Sequence, residues 1–281
     1  METAKFDNIC IKKVLELHKI GKKKGKSMEI EDIIQEFLDE YGYTQNKDIE
    51  GVILYGSYQT KTNKKNSDVD IIIVYNSESK KETTKEYKKY KNYDFESYER
   101  TLQNLYDRVD KDFLNYEDTM LSAIGYGEII EDRNGKIKEL QNYTLQKYKN
   151  GLPKLNEQDV IYGAKSIHKS IESLKNMYTE KSPYYSTFYA ITLDKIRDYY
   201  NKKNGYSNMS TSKVYRLYTD EVMQTVQHKF MPEKQFTNSY LNCIETNEFE
   251  KINDLFKYVT RDISADIDYY NIKFNIGNRN H

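Results

Sequence analysis

Two aspartates one residue apart, Asp68 and Asp70, stand at the head of the apolar run Ile71-Ile72-Ile73-Val74. Side chains two apart on a strand share a face, with β-carbons roughly 6 to 7 Å apart. Carboxylates so placed can hold a pair of divalent cations, and hard Mg²⁺ prefers carboxylate and phosphate oxygens. Separated from Asp68 by ten intervening residues, the pair Gly56-Ser57 follows a second β-rich run, Gly51 to Tyr55. A glycine there lets a phosphate approach the backbone, and the serine hydroxyl and following amides can donate to it. A triphosphate would lie between this turn and the metals.

In-line displacement at phosphorus needs a third carboxylate, either to complete the metal site or to take the proton of the attacking hydroxyl. The segment Tyr93-Asp94-Phe95-Glu96 supplies two on one strand face. Asp94 is the preferred metal ligand and base, being nearer the strand start and shorter; Glu96 is the other catalytic candidate.

Leu54-Tyr55-Gly56-Ser57 and Ser67-Asp68-Val69-Asp70-Ile71 resemble the nucleotidyltransferase superfamily that includes DNA polymerase beta, small bacterial antibiotic nucleotidyltransferases and the minimal nucleotidyltransferases of toxin–antitoxin operons. A small residue often found between the two motifs is here Lys61. The resemblance implies an α/β (α+β) fold with a mixed sheet, followed by an all-helical domain that sets specificity. It also implies two Mg²⁺ ions, a nucleoside triphosphate donor with ATP expected, and transfer of a nucleoside monophosphate to a hydroxyl with release of pyrophosphate. By the same resemblance the leading acceptor is a small molecule such as an aminoglycoside-like antibiotic. A protein or RNA acceptor in a toxin–antitoxin or defence system is the alternative, as is a non-catalytic partner or antitoxin. Ser212-Lys213 looks like a segment of some bacterial members in which the lysine sits near the nucleotide phosphates.

The elements that must position these groups can be read from periodicity. Apolar residues recur at helical spacing from Phe6 to Ile20, and again from Met28 to about Tyr41 with Ser27 as cap and Ile30, Ile33, Ile34 and Phe37 inward. Val69 to Tyr75 suits a strand buried on both faces, and Tyr93 to Tyr98 alternates as a third strand. Lys80 to Lys91, with six Lys and two Glu, reads as a solvated connector. After a helical region from Glu99 to about Met120, Asn134-Gly135 between apolar pairs signals a hairpin closing the sheet. Beyond Gly151 the pattern is helical: Ile161, Ala164, Ile167, Ile171 and Leu174; Ser182-Pro183 as a cap with Pro at the first helical position; then Ile252, Leu255, Phe256, Val259 and Ile263. This places a catalytic domain at 1–150 and a helical substrate-binding domain at 151–281.

Composition narrows the field. Lys plus Arg and Asp plus Glu both total 44, so any attraction to phosphate must be local, and long nucleic acid is disfavoured as a partner. Cys10 and Cys243 lack metal-ligand spacing and fit reduced thiols of a cytoplasmic protein, monomeric or homodimeric. No apolar stretch is long enough to span a bilayer. Gly21 to Ser27 fails as a P-loop, having three residues between its glycines and no strand before it. His18, His168 and His228 are isolated and suggest neither zinc nor a triad.

Overall fold

The computed structural model describes residues 29–263. The expected first helix, the Gly21 to Ser27 segment and Cys10 lie outside the described residues. The chain divides into two compact units, Met1–Asn46 and Lys47–His281. In the first, helix α1 (Ile30–Glu40) starts from Glu29 in extended conformation, places Glu31 and Asp32 in its first turn and buries Ile33, Ile34, Phe37 and Leu38. Acidic groups at that end complement the helix dipole.

In the second unit a mixed five-stranded sheet comprises β1 (Ile49–Tyr55), β2 (Val69–Tyr75), β3 (Thr84–Tyr90), β4 (Tyr93–Thr101) and β5 (Glu128–Asp132), in the spatial order β3-β4-β2-β1-β5. Only β2 and β4 run parallel; the other neighbours are antiparallel. Ile71, Ile72, Ile73 and Val74 are fully buried, as a central strand flanked on both sides requires.

Two sequence expectations are corrected here. The lysine-rich connector contains the edge strand β3, which alternates half-buried and exposed residues without an apolar face. Lysines suit an edge because their charge discourages pairing with another chain. The expected hairpin at Asn134-Gly135 is instead the junction between β5 and a helix. Gly135 adopts φ +77°, a left-handed value that glycine takes without strain, and caps α5 (Lys136–Tyr148). The following residues then bury Ile137, Leu140, Gln141, Thr144 and Tyr148, which is helical spacing.

One sheet face is covered by α3 (Leu102–Leu114), α4 (Thr119–Gly125) and α5, which pack Leu105, Val109, Leu121, Ile124, Ile137 and Leu140 with Ile53, Ile72 and Val74. Thr101 ends β4 and caps α3, its hydroxyl accepting from the Asn104 N–H at 3.3 Å. A four-residue helix, α2 (Gly56–Gln59), sits in the β1–β2 connection.

The rest of the described chain is helical: α6 (Glu157–Thr179), α7 (Tyr185–Asn204), α8 (Thr211–Thr219), α9 (Glu221–Val226), α10 (Lys234–Thr246) and α11 (Phe249–Val259). They enclose a separate core running from Ala164 to Val259. Helix α7 starts two residues after Pro183 rather than on it; the Ser182 hydroxyl accepts from the Tyr184 N–H in a turn that precedes the helix. No helix among the described residues is long and apolar enough to cross a membrane.

The two cores are joined by a buried polar network. The Tyr148 hydroxyl donates to Asp118 at 2.7 Å and lies 2.9 Å from the Ser207 hydroxyl. Ser207 Oγ accepts from the Phe230 N–H, and Lys229 Nζ pairs with Asp118 at 3.0 Å. Every member thereby finds a partner, without which its burial would cost several kcal/mol.

Candidate active site

Strand registers set the site. Asp70 on β2 lies opposite Tyr55 on β1 and opposite Glu96 on β4, which in turn faces Tyr87 on β3. Directly paired residues share a sheet face, so Tyr55, Asp70, Glu96 and Tyr87 form one transverse row. Asp68 precedes β2 and is exposed.

The turn after β1 is shaped by Asp70. Gly56 has φ +74°, and a β-carbon there would stand 2.2 Å from Asp70 Oδ2. Glycine is therefore required twice over, for its left-handed backbone and for the carboxylate lying against it. Ser57 continues the turn, its carbonyl accepting from the Thr62 N–H. Lys61 also lies in the left-handed region, at φ +57°, a conformation that glycine takes without strain and that other residues adopt uncommonly.

A cleft of about 320 Å³ opens over this row, within the range of small-molecule sites. Tyr55, Gly56, Asp70, Glu96 and Tyr98 form its sheet wall, and Asn208, Ser210, Lys213 and Leu217 face them from the helical half. Burial, reinforced by the like charges of Glu96 and Asp68, pushes the Asp70 carboxyl up to about 6, while Lys213 and Lys85 pull it back. Burial and the Asp70 charge also hold the Tyr55 phenol well above its usual range.

Of the residues singled out from sequence, Gly56, Asp70, Glu96 and Lys213 meet at the cleft, whereas Ser57, Asp68 and Asp94 do not line it. The preference for Asp94 over Glu96 is not supported by this geometry. Asp94 lies just outside the parallel ladder, which begins at Val69 and Phe95, and its side chain is 64% exposed beside Lys89. Glu96 is level with Asp70, and its side chain is 16% exposed.

Several cleft residues carried no sequence signal. His228 stacks on Tyr126 with ring centroids 3.9 Å apart and planes 7° from parallel, and both line the cleft. Burial lowers the His228 pKa, favouring the neutral imidazole. Beside the cleft, though not lining it, Lys85, assigned from sequence to a connector, reaches Glu96 Oε1 at 2.7 Å and lies 5.1 Å from the ring centres of both Tyr87 and Tyr98. The bond to Glu96 is the main cause holding Lys85 protonated. Alternation from Thr84 to Tyr90 was the available clue, masked by the absence of an apolar face.

Among the described residues no group of three or more His, Cys, Asp or Glu is arranged to hold a metal ion. The donor set nevertheless fits Mg²⁺, which is usually held by one or two carboxylates together with substrate phosphates. Asp70 and Glu96 are two hard oxygen donors whose mutual repulsion a cation would relieve.

Residues 29–116 match the model of a nucleotidyltransferase domain, a stretch that includes Gly56, Ser57, Asp68, Asp70, Asp94 and Glu96 but not Lys213. A solved structure similar to this chain is that of a nucleotidyltransferase-like protein from Exiguobacterium sibiricum 255-15. It has a TM-score of 0.43 and 12% identity, covering 83% of this chain and 73% of that one. No curated protein matches the chain.

Proposed function

We propose, on the match of residues 29–116 to the nucleotidyltransferase model, that this protein transfers a nucleoside monophosphate from a nucleoside triphosphate, ATP first among them, to the hydroxyl of a small molecule. The observation that carries this reading is the pairing of Asp70 with Glu96 across β2 and β4, with Gly56 directly under the Asp70 carboxylate.

The triphosphate would lie between the Gly56 turn and Lys213, whose ammonium offsets charge on the phosphates. Asp70 and Glu96, with Asp68 joining from the strand start, would hold divalent metal. When bound, that metal neutralises charge on the phosphates and stabilises the leaving oxygen. Glu96 lies on the side of Asp70 away from Gly56, which suits the approach of an acceptor in line with the departing pyrophosphate. The acceptor oxygen forms a bond to the α-phosphorus, the bond to the bridging oxygen breaks, the hydroxyl proton passes to Glu96, and pyrophosphate leaves. Closure of the cleft by Asn208 to Leu217 and by Gln227 to Lys229 favours a small acceptor, and aminoglycoside-like polyols are the class to screen first.

Calorimetric titration of each nucleoside triphosphate with Mg²⁺ into wild type, Asp70→Asn and Glu96→Gln tests the site, followed by a pyrophosphate-release screen over acceptors. Binding by wild type that is lost in Asp70→Asn supports the reading. A wild type that binds no triphosphate sinks it.

A further inference from the structure

The third carboxylate of this site does not stand alone. Lys85 lies opposite Tyr98 in the β3–β4 ladder, two pairs along from Tyr87 and Glu96 and therefore on the same sheet face. Its ammonium crosses to Glu96 Oε1 at 2.7 Å and lies 5.1 Å from each of the two tyrosine rings. A cation between two aromatic faces loses the rotational freedom that lysine usually keeps, and the rings' negative faces hold it in place. One oxygen of Glu96 is therefore engaged by a donor from the neighbouring strand, while Glu96 itself lines the cleft.

We propose that Lys85 is a positioning residue that orients Glu96 for divalent metal, with Tyr87 and Tyr98 as its guides. This rests on the nucleotidyl-transfer reading above and adds to it a group from the edge strand. Partners behind a ligating carboxylate fix its rotamer before the metal arrives, and their loss typically weakens metal affinity by about 10- to 100-fold. Tyr87 is 68% exposed, a position where a large ring contributes little to a core, and holding Lys85 gives it a role.

The test is Mn²⁺ binding, followed by electron paramagnetic resonance of the free ion, in the full chain with ATP present. Wild type, Lys85→Met, Lys85→Arg, Tyr87→Leu and Glu96→Gln are compared, with circular dichroism confirming that each is folded. Lys85→Met is expected to weaken Mn²⁺ binding by about 10-fold, Lys85→Arg to restore most of it, and Tyr87→Leu to fall between. In a Glu96→Gln background, Lys85→Met is expected to have no further effect, because the residue acts through that carboxylate. In turnover, Lys85→Met should lower kcat with a smaller change in the KM for ATP.

Unchanged or tighter Mn²⁺ binding in Lys85→Met overturns the role of Lys85 and leaves the nucleotidyl-transfer reading intact. An equal loss with and without Glu96 also overturns it, since the effect would then be general electrostatics. A wild type that takes up neither Mn²⁺ nor ATP sinks the underlying reading and Lys85's part in it together. Tyr87 is exposed, so Tyr87→Leu keeps the proposal testable if Lys85→Met does not fold.

Discussion

Replacing Asp70 by Asn should make the metal-free protein more stable while destroying its site. Asp70 has a folded-state pKa pushed up to about 6 from an ordinary value of 3.8, first by burial and then by the charges of Glu96 and Asp68. A tenfold change in proton affinity is worth about 1.4 kcal/mol, so keeping Asp70 ionised costs the fold at most about 3 kcal/mol. The direction in pH follows from the sign of the shift. A carboxyl whose pKa is raised on folding carries its full penalty above the folded value and sheds it as pH falls through about 6 toward 3.8. Asparagine removes the charge and nearly preserves the shape. Urea unfolding of wild type and Asp70→Asn, in chelator at pH 8 and pH 4.5, reads the difference. The variant should be more stable at pH 8 by up to about 3 kcal/mol, and the gap should narrow markedly at pH 4.5. Mg²⁺ with ATP should then raise the wild-type midpoint and leave the variant unmoved, since only a binding-competent native state gains from ligand. A variant that is less stable at pH 8, or a gap independent of pH, would refute the claim that Asp70 is held ionised against its surroundings.

Other substitutions separate the parts of the site. Gly56→Ala forces a left-handed alanine, costing about 1–2 kcal/mol, and drives a methyl into Asp70; triphosphate binding should be lost in calorimetry even where circular dichroism shows a folded protein. Glu96→Gln should reduce pyrophosphate release by at least about 100-fold, whereas Asp94→Asn should stay within a few-fold; the reverse order in a turnover assay would restore Asp94 as the third carboxylate. In the helical half, a β-carbon at Gly163 would stand 2.5 Å from the Tyr199 ring, so Gly163→Ala should lower the urea midpoint by about 1–3 kcal/mol of overpacking without changing ATP affinity.

What could be read from sequence follows physical lines. The run Ile71 to Val74 announces a strand flanked on both sides, because only such a strand buries consecutive branched residues. Asp68 and Asp70 announce their chemistry because a period of two gives them one face. Asp94 and Glu96 share that same period, so spacing cannot choose between them; only the parallel register separates them, setting Glu96 beside Asp70 and leaving Asp94 beyond that ladder. Edge strand β3 was hidden because its alternation pits lysine and tyrosine against one another rather than polar against apolar residues. Asn134-Gly135 misled because a left-handed glycine serves a hairpin and a helix start equally well. At Gly56, expected from sequence to admit a phosphate, the group that excludes a β-carbon is within the chain: the Asp70 carboxylate lies against it.

The Tyr148, Asp118, Ser207 and Lys229 network bears on how this chain could have diversified. The stretch matching the family ends at residue 116, and Asp118, two positions later, is bonded by Tyr148 and paired with Lys229 from the far helical half. A chain cut near residue 150 would keep a deeply buried carboxylate and lose the cation that neutralises it. Exchange of the helical half for an unrelated one would have to reinvent that cation at the same spot. The helical half is thus not an interchangeable cartridge, and the cleft would be reshaped by altering residues that line it, not by shuffling whole segments.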